Sequence, residues 1–289
     1  MDRPPPLRAG WAFWPWVALL TFAPLPLGGA RPWAASLLEG WLGLCLMLWA
    51  AARIRPLDHP PQRSLRPLLG PFLLVAAALL WGWLQTLPLS LPRLAPLGHP
   101  LWTEAAEALG ASGAPSIALH PGAAREELAR YLLDAGVFFL ALQWGASRRR
   151  SSRLIAALAL AGGGYALYGL WVQFSGENTI LGMPKWAYHD LVTATFVNRN
   201  HFAAYTGLIF LCLLALLHRR LFAPLAHATW RETLRRLLSG EAAARAWGWW
   251  LLASVVLTAL LLTQSRGGVL SAGCGVLSFF LLTGGGGRG

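Results

Sequence analysis

The sequence predicts an all-α protein, a polytopic bundle of about eight transmembrane helices. Hydrophobic residues make up 56% of its 289 residues and charged residues only 12%, and the mean hydropathy of +0.49 excludes an ordinary soluble domain. Apolar runs recur along the whole chain, and arginines gather in alternate connections between them. The 16 tryptophans, several of which lie at the ends of apolar runs, are typical of membrane interfaces.

Eight apolar runs approach the ~20 residues that a helix needs to cross a bilayer. Backbone polar groups in lipid must be paired within the segment that carries them, so a helix is predicted for each run. The predicted spans are residues 11–27, 33–51, 68–87, 128–146, 154–174, 202–217, 247–263 and 268–283.

Positive charge alternates across the predicted spans. One side, which includes both termini, holds Arg3, Arg8, Arg53, Arg55, Arg63, Arg66, Arg148, Arg149, Arg150, Arg153, Arg219, Arg220, Arg231, Arg235, Arg236, Arg245 and Arg288. The other side holds only Arg31, Arg93, Arg125, Lys185, Arg199 and Arg266. By the positive-inside rule, both termini are predicted to be cytoplasmic and loops 88–127 and 175–201 to face outward. Topology accounts for most of the net charge of +12, so no nucleic-acid partner is expected.

The outer loop 88–127 is predicted to contain a short amphipathic helix over 101–109, lying at the interface. A longer helix is predicted to begin at Pro121, where acidic residues follow near the positive end of the helix dipole. Within that helix, Arg130 and Asp134 are four residues apart and are expected to neutralise each other. These charges favour a solvated connector and a structural ion pair over a functional site.

The most informative stretch is the polar cluster Asn198, Arg199, Asn200 and His201, which directly precedes the sixth predicted span. A bilayer tolerates such a cluster only at its surface or in a wet cavity. At a helix N-terminus, the backbone N–H groups and the helix dipole already favour anions. The cluster is therefore interpreted as a binding site for a polar, anionic group, with simple interfacial anchoring as the alternative.

A second candidate lies in the short turn between the seventh and eighth spans, where Ser265, Arg266 and Gly267 follow one another. So short a turn holds Arg266 at or just below the membrane surface, where an arginine is costly. Its planar guanidinium matches phosphate oxygens, and the serine adds a hydroxyl. The glycine leaves the backbone open at the next helix N-terminus. The turn predicts a pyrophosphate site, and a snorkelling arginine is the alternative.

These two segments, in this order and about sixty residues apart, resemble the bacterial O-antigen ligase/polymerase superfamily. The string Phe-Val-Asn-Arg-Asn-His-Phe-Ala at 196–203 carries the resemblance, and Ser-Arg-Gly at 265–267 supports it. The resemblance implies a ligase-like membrane domain over residues 160–289. Residues 1–159 would form N-terminal transmembrane helices with the outer loop near 88–127.

The resemblance implies a metal-independent glycosyltransferase of the bacterial inner membrane that takes part in building the cell envelope. Such proteins move a polysaccharide from an undecaprenyl-diphosphate carrier to an acceptor, such as the lipid A core of lipopolysaccharide, at the periplasmic face. It implies that Arg266 contacts the carrier diphosphate and that residues 198–201 line the same outward-facing cavity. No metal and no cofactor are expected, and the sequence identifies no catalytic residue.

Family members continue past this point with a large periplasmic loop, which supplies a His and an Arg, and with further spans. We therefore expect these 289 residues to be a fragment or a shortened homologue lacking part of the catalytic apparatus, so activity of the chain alone stays open. Two other functions stay open as well. One is a transporter or permease of a small anion, in which Arg199 and Arg266 would bind the solute; the other is a non-catalytic envelope assembly subunit.

The predicted topology is testable by cysteine labelling of Ser112→Cys and Ser152→Cys variants in intact spheroplasts. Because the positive-inside rule places loop 88–127 outside, a membrane-impermeant reagent should modify position 112 and leave position 152 unmodified. Labelling of position 152 alone would contradict the predicted orientation.

Overall fold

The computed structural model describes residues 11–54, 64, 66–110, 113–222, 231–232 and 241–284. Within these residues the chain forms nine α-helices and one two-stranded antiparallel hairpin, which confirms the all-α fold class. In chain order they are α1 (Phe13–Phe22), α2 (Pro32–Ile54), α3 (Leu69–Gln85), α4 (Leu101–Leu109), α5 (Pro121–Gly145), α6 (Arg148–Phe174), β1 (Thr179–Ile180), β2 (Met183–Pro184), α7 (Arg199–Leu217), α8 (Glu241–Leu262) and α9 (Arg266–Gly284).

Every predicted span contains a helix. In the described part of the chain, five stretches are long and apolar enough to cross a membrane, namely Pro32–Arg53, Arg66–Gln85, Arg148–Phe174, Arg199–Arg220 and Arg266–Thr283. The helices Phe13–Phe22 and Ala246–Leu262 are apolar but shorter, and α5 carries charged residues over its first half. The chain is therefore a helical protein with several membrane-spanning candidates, and the count of eight spans stays a prediction.

The described residues divide into two compact units, one of Ala35–Ala146 and one made of the chain up to Ala34 together with Ser147 onward. The division predicted near residue 159 stays a prediction. Some residues used for the topology prediction lie outside the described residues, namely Arg3, Arg8, Arg55, Arg63, Arg235, Arg236, Arg288 and Ser112.

The unit Ala35–Ala146 contains the outer loop and its two predicted helices. Helix α4 has the predicted bounds, and α5 begins at Pro121 as predicted, where His120 Nδ1 accepts a hydrogen bond of 3.0 Å from Ala123 N. Arg125 Nη2 donates to Thr86 O at 2.8 Å and so pairs a carbonyl left free at the end of α3. This hydrogen bond connects the beginning of α5 to the end of α3.

The predicted pairing of Arg130 with Asp134 is wrong. Arg130 Nη1 instead lies 3.1 Å from Glu127 Oε1. Glu127 precedes Arg130 by about one helical turn. Both spacings place the two residues on one helix face, so the sequence alone does not distinguish them. Glu127 is the more exposed partner, and a pair near the solvated helix start costs less desolvation than one deeper in the helix.

The other unit is built around α6, α7 and α8, and α9 packs on α7. Its core contains small and branched apolar residues from these helices, among them Ala159, Ala166, Ile209, Leu213, Ala253 and Val256. Tyr165 OH donates to Thr21 O at 3.0 Å, which connects α1 to α6. Because consecutive helices run in opposite directions, the end of α6, the start of α7, the end of α8 and the start of α9 lie at one end of this unit.

Glycines on α6 allow the close approach of its neighbours. A Cβ added to Gly162 would overlap the branched side chain of Ile209 on α7, and one added to Gly163 would overlap Leu252 on α8. Gly164, the next residue, faces open space. In lipid, helix association depends on packing rather than on the hydrophobic effect, so such small residues determine which helix faces meet.

We expect Gly162→Ala to destabilise the bundle and Gly164→Ala to leave it unchanged or slightly more stable. Overpacking costs about 1–3 kcal/mol, whereas an unobstructed Gly→Ala change in a helix gains about 0.5–1 kcal/mol. Thermal unfolding of the two purified variants in one detergent measures the difference. Equal melting temperatures for the two variants would show that the α6–α7 contact does not depend on Gly162.

Candidate functional site

The polar cluster of residues 198–201 forms the beginning of α7. Asn198 is the N-cap, and its side-chain oxygen accepts a 2.8 Å hydrogen bond from Asn200 N. This is the standard use of Asn at an N-cap, because the first N–H groups of a helix have no partner within it. Flanking the cluster, Phe196 and Phe202 are buried and their rings lie 5.6 Å apart. The apolar residues of the motif therefore hold its polar residues at the helix start.

The second motif forms a tight corner between α8 and α9. Gln264 takes a left-handed conformation (φ 53°) after the last turn of α8. Ser265 follows at once and caps α9, since its Oγ accepts a 3.2 Å hydrogen bond from Gly268 N. Thr263 Oγ1 accepts from Ser265 N at 3.2 Å. With so few connecting residues, Arg266 is fixed as the first residue of α9.

A hydrogen bond joins the two motifs. Ser265 Oγ donates to Asn200 Oδ1 at 2.9 Å, across 65 residues of sequence. The helices approach closely beside this bond, because a Cβ added to Gly268 would overlap Ala203 Cβ on α7. The starts of α7 and α9 therefore lie side by side.

An open cavity of about 920 Å³ lies where these helix starts meet. It is lined by Arg199, Asn200, Gln264, Ser265, Arg266, Gly267, Val269 and Leu270. Two helix N-termini, each with a partial positive charge, contribute to it together with two guanidinium groups. This combination favours an anion.

Both arginines line the cavity. In the part of the chain that the structure describes, neither is paired with a carboxylate. Arg199 lies with its Cζ 5.6 Å from the ring centroid of Tyr188, and its Nε is buried without a hydrogen-bond partner. Arg266 is exposed to the cavity. The donors needed for bidentate binding of phosphate oxygens are therefore present on both side chains.

The loop between α6 and α7 holds Tyr188 in place. Lys185 is buried, and its Nζ donates to Leu191 O at 2.8 Å. Asp190 exchanges two hydrogen bonds with Asn178, at 2.8 and 3.1 Å. Burial lowers the pKa of the Lys185 ammonium from its ordinary value, and the Asp190 carboxylate opposes that shift. Lys185 thus acts within the loop and not in the cavity.

The structure brings together five of the seven residues predicted for the site: Arg199, Asn200, Ser265, Arg266 and Gly267. Asn198 and His201 do not line the cavity: Asn198 caps α7, and His201 is exposed on its first turn. Sequence reasoning missed Gln264 as a lining residue, although it directly precedes Ser265. Tyr188 could not have been found, because no pattern links it to Arg199.

Among the described residues, no group of three or more His, Cys, Asp or Glu side chains is placed to hold a metal ion. The residues that line the cavity offer guanidinium, hydroxyl and amide groups. Such groups bind and orient an anion and stabilise charge that develops on its oxygens.

No family model, curated protein or solved structure matches this chain.

Proposed function

We propose that the chain belongs to a membrane glycosyltransferase of the O-antigen ligase/polymerase kind, which moves a polysaccharide from an undecaprenyl-diphosphate carrier to an acceptor such as the lipid A core. The observation that supports this most is the cavity shared by Arg199, Asn200, Ser265 and Arg266. The two motifs that carry the family resemblance converge there. If the resemblance were due to chance, the two segments would not be expected to share a hydrogen bond across 65 residues of sequence.

The position of the cavity suits a lipid-linked substrate. It lies at the end of helices long and apolar enough to cross a membrane, where the diphosphate of a carrier would lie while its hydrocarbon tail stays in lipid. We propose that this end faces the periplasm, with the chain in the bacterial inner membrane and both termini cytoplasmic. The opposite end of the same unit carries Arg148, Arg149, Arg219 and Arg220, in keeping with the positive-inside rule.

The proposed role of the arginines is to bind the diphosphate and to stabilise the charge that grows on it as the glycan leaves. The carrier diphosphate is the leaving group, so cations on its oxygens lower the barrier. The acceptor hydroxyl must lose a proton, and a general base assists this step. The described lining of the cavity contains no His, Asp, Glu or Lys side chain, so we assign the arginines a binding and leaving-group role only.

The test is retention of the carrier lipid by the purified chain, measured by native mass spectrometry. Arg266→Lys keeps the charge but loses the planar pair of donors, and Arg266→Ala loses both. Losing a charge-assisted hydrogen bond to a buried anion costs about 1.5–3 kcal/mol, which is roughly a ten- to hundred-fold loss of affinity. We expect a loss of this size for Arg266→Lys and at least as large a loss for Arg266→Ala.

The matched control is Arg149→Ala, an exposed arginine at the start of α6 and so at the other end of the unit. It should retain the lipid as the unchanged chain does. Full retention by Arg266→Ala would remove the phosphate role and leave Arg266 as a topological charge. Binding of free inorganic pyrophosphate by the unchanged chain, with no lipid retained, would favour the small-anion transporter instead.

A further inference from the structure

The hairpin β1–β2 is an uncharged, mainly apolar segment of the loop between α6 and α7. Its six residues are Thr-Ile-Leu-Gly-Met-Pro, numbered 179–184. Ile180 is buried, whereas Leu181 and Met183 are each 44% exposed. The nearest charged residues, Glu177 and Lys185, lie on either side of the hairpin. Glu177 is exposed, whereas the Lys185 ammonium donates to Leu191 O within the loop. An exposed apolar hairpin tip is unusual on a surface that faces only water.

The tip of the hairpin also holds Leu181 in an unfavourable backbone conformation. The two turn residues, Leu181 and Gly182, both take positive φ, 51° and 79°. Two-residue hairpins with this geometry prefer Asn-Gly or Asp-Gly, because a larger side chain clashes with its own backbone. Part of the Leu181 side chain, which is 44% exposed, has no packing partner within the protein. An apolar environment outside the protein around this exposed part would offset the strain of the turn.

The hairpin folds back along α6 towards the centre of the membrane. Leu181 N donates a 2.7 Å hydrogen bond to Tyr168 OH, and Tyr168 precedes the last residue of α6, Phe174, by six positions. At 1.5 Å of rise per residue, Tyr168 lies about 9 Å below the helix end. Helical side chains lean towards the helix N-terminus. The Tyr168 hydroxyl therefore lies still further from the C-terminal end of α6.

The helix end itself marks the membrane face. About 20 residues separate Arg153, the last charge near the start of α6, from Phe174, which is the length that crosses the ~30 Å hydrocarbon core. Trp171 and Phe174 are 62% and 75% exposed, as expected for side chains in contact with lipid. The hairpin tip beside Tyr168 is therefore within the depth of the bilayer.

The apolar surface continues from the tip along the bundle. Leu181 lines one end of a groove of about 540 Å³ that runs along α6 past Tyr165, Gly164 and Ala161, with Phe22 and Leu25 on its other wall. Gly164 faces open space there. The residues that line the groove are mostly apolar, and the side of a spanning helix is surrounded by lipid acyl chains.

We propose that the tip of hairpin 179–184 inserts into the leaflet at this face and contacts lipid acyl chains, one of which lies in the groove beneath Leu181. Tyr168 OH accepts the hydrogen bond of the Leu181 N–H group at the tip, and the two strands pair with each other. Bilayers tolerate non-helical backbone at depth where it packs against protein, and the hairpin tip lies against Tyr168 of α6. The hairpin would then hold the loop that positions Tyr188 at a fixed depth.

The test is photo-crosslinking of the 289-residue chain in bilayers. A benzophenone-bearing phenylalanine analogue replaces Leu181 in one protein and Glu177 in another, four residues earlier in the same loop. We expect the protein labelled at 181 to gain the mass of a phospholipid on illumination, and the protein labelled at 177 to gain none. Circular dichroism and a single size-exclusion peak check that both proteins fold.

A second measurement avoids the large benzophenone side chain at the hairpin tip. A Leu181→Cys variant labelled with a polarity-sensitive fluorophore should emit at shorter wavelength than the matched Glu177→Cys variant and be quenched by lipids brominated on their acyl chains. Iodide in water should quench the label at 177 more strongly. Iodide quenching at 181 equal to that at 177, with no lipid adduct at 181, would overturn the proposal. Lipid adducts at both positions would show that the whole loop lies on the headgroups, which also overturns it.

Discussion

The hydrogen bond from Ser265 Oγ to Asn200 Oδ1 is the interaction on which the site depends. It joins the first turns of α7 and α9 at 2.9 Å, and Ser265 is at the same time the residue that caps α9. At the edge of a bilayer, a side-chain hydrogen bond between helices replaces contacts with water that are no longer available. Both helix starts, and with them Arg199 and Arg266, are therefore fixed around one cavity.

This bond forms only because the helices can approach each other. Gly268 faces Ala203 where α9 meets α7, and Gly162 and Gly163 face Ile209 and Leu252 where α6 meets its neighbours. A Cβ at Gly268 would overlap Ala203 Cβ, so a side chain there would push α9 away from α7 beside the hydrogen bond. The small residues thus act on the site indirectly, through the spacing of the bundle.

Much of the fold could be predicted because the signals are local. Hydrophobic runs indicated the helices, and the Pro121 start and the bounds of α4 follow from capping and amphipathic patterns that involve neighbouring residues. Both motifs were found because polar residues beside apolar spans are costly. The pairing of Arg130 was wrong because two helix spacings are equally compatible with the sequence.

The rest depends on contacts between residues far apart in sequence. The ring of Tyr188 over Arg199 follows from the folded loop, whose shape depends on the buried Lys185 and the Asn178–Asp190 pair. The return of the hairpin to Tyr168 likewise has no local signal, and Leu-Gly is not a preferred sequence for its turn. Loops of this kind are determined by tertiary hydrogen bonds, which composition and periodicity do not reveal.

The most direct test of one shared site is a double-mutant cycle with Asn200→Ala, Ser265→Ala and both together, measured as affinity for a diphosphate-bearing lipid. If the hydrogen bond holds the two helix starts around one anion, each single change weakens binding and the double change adds little to the larger of them. The expected coupling is about 0.5–3 kcal/mol. Single effects that simply add, or affinity unchanged in all three variants, would contradict a site shared by α7 and α9.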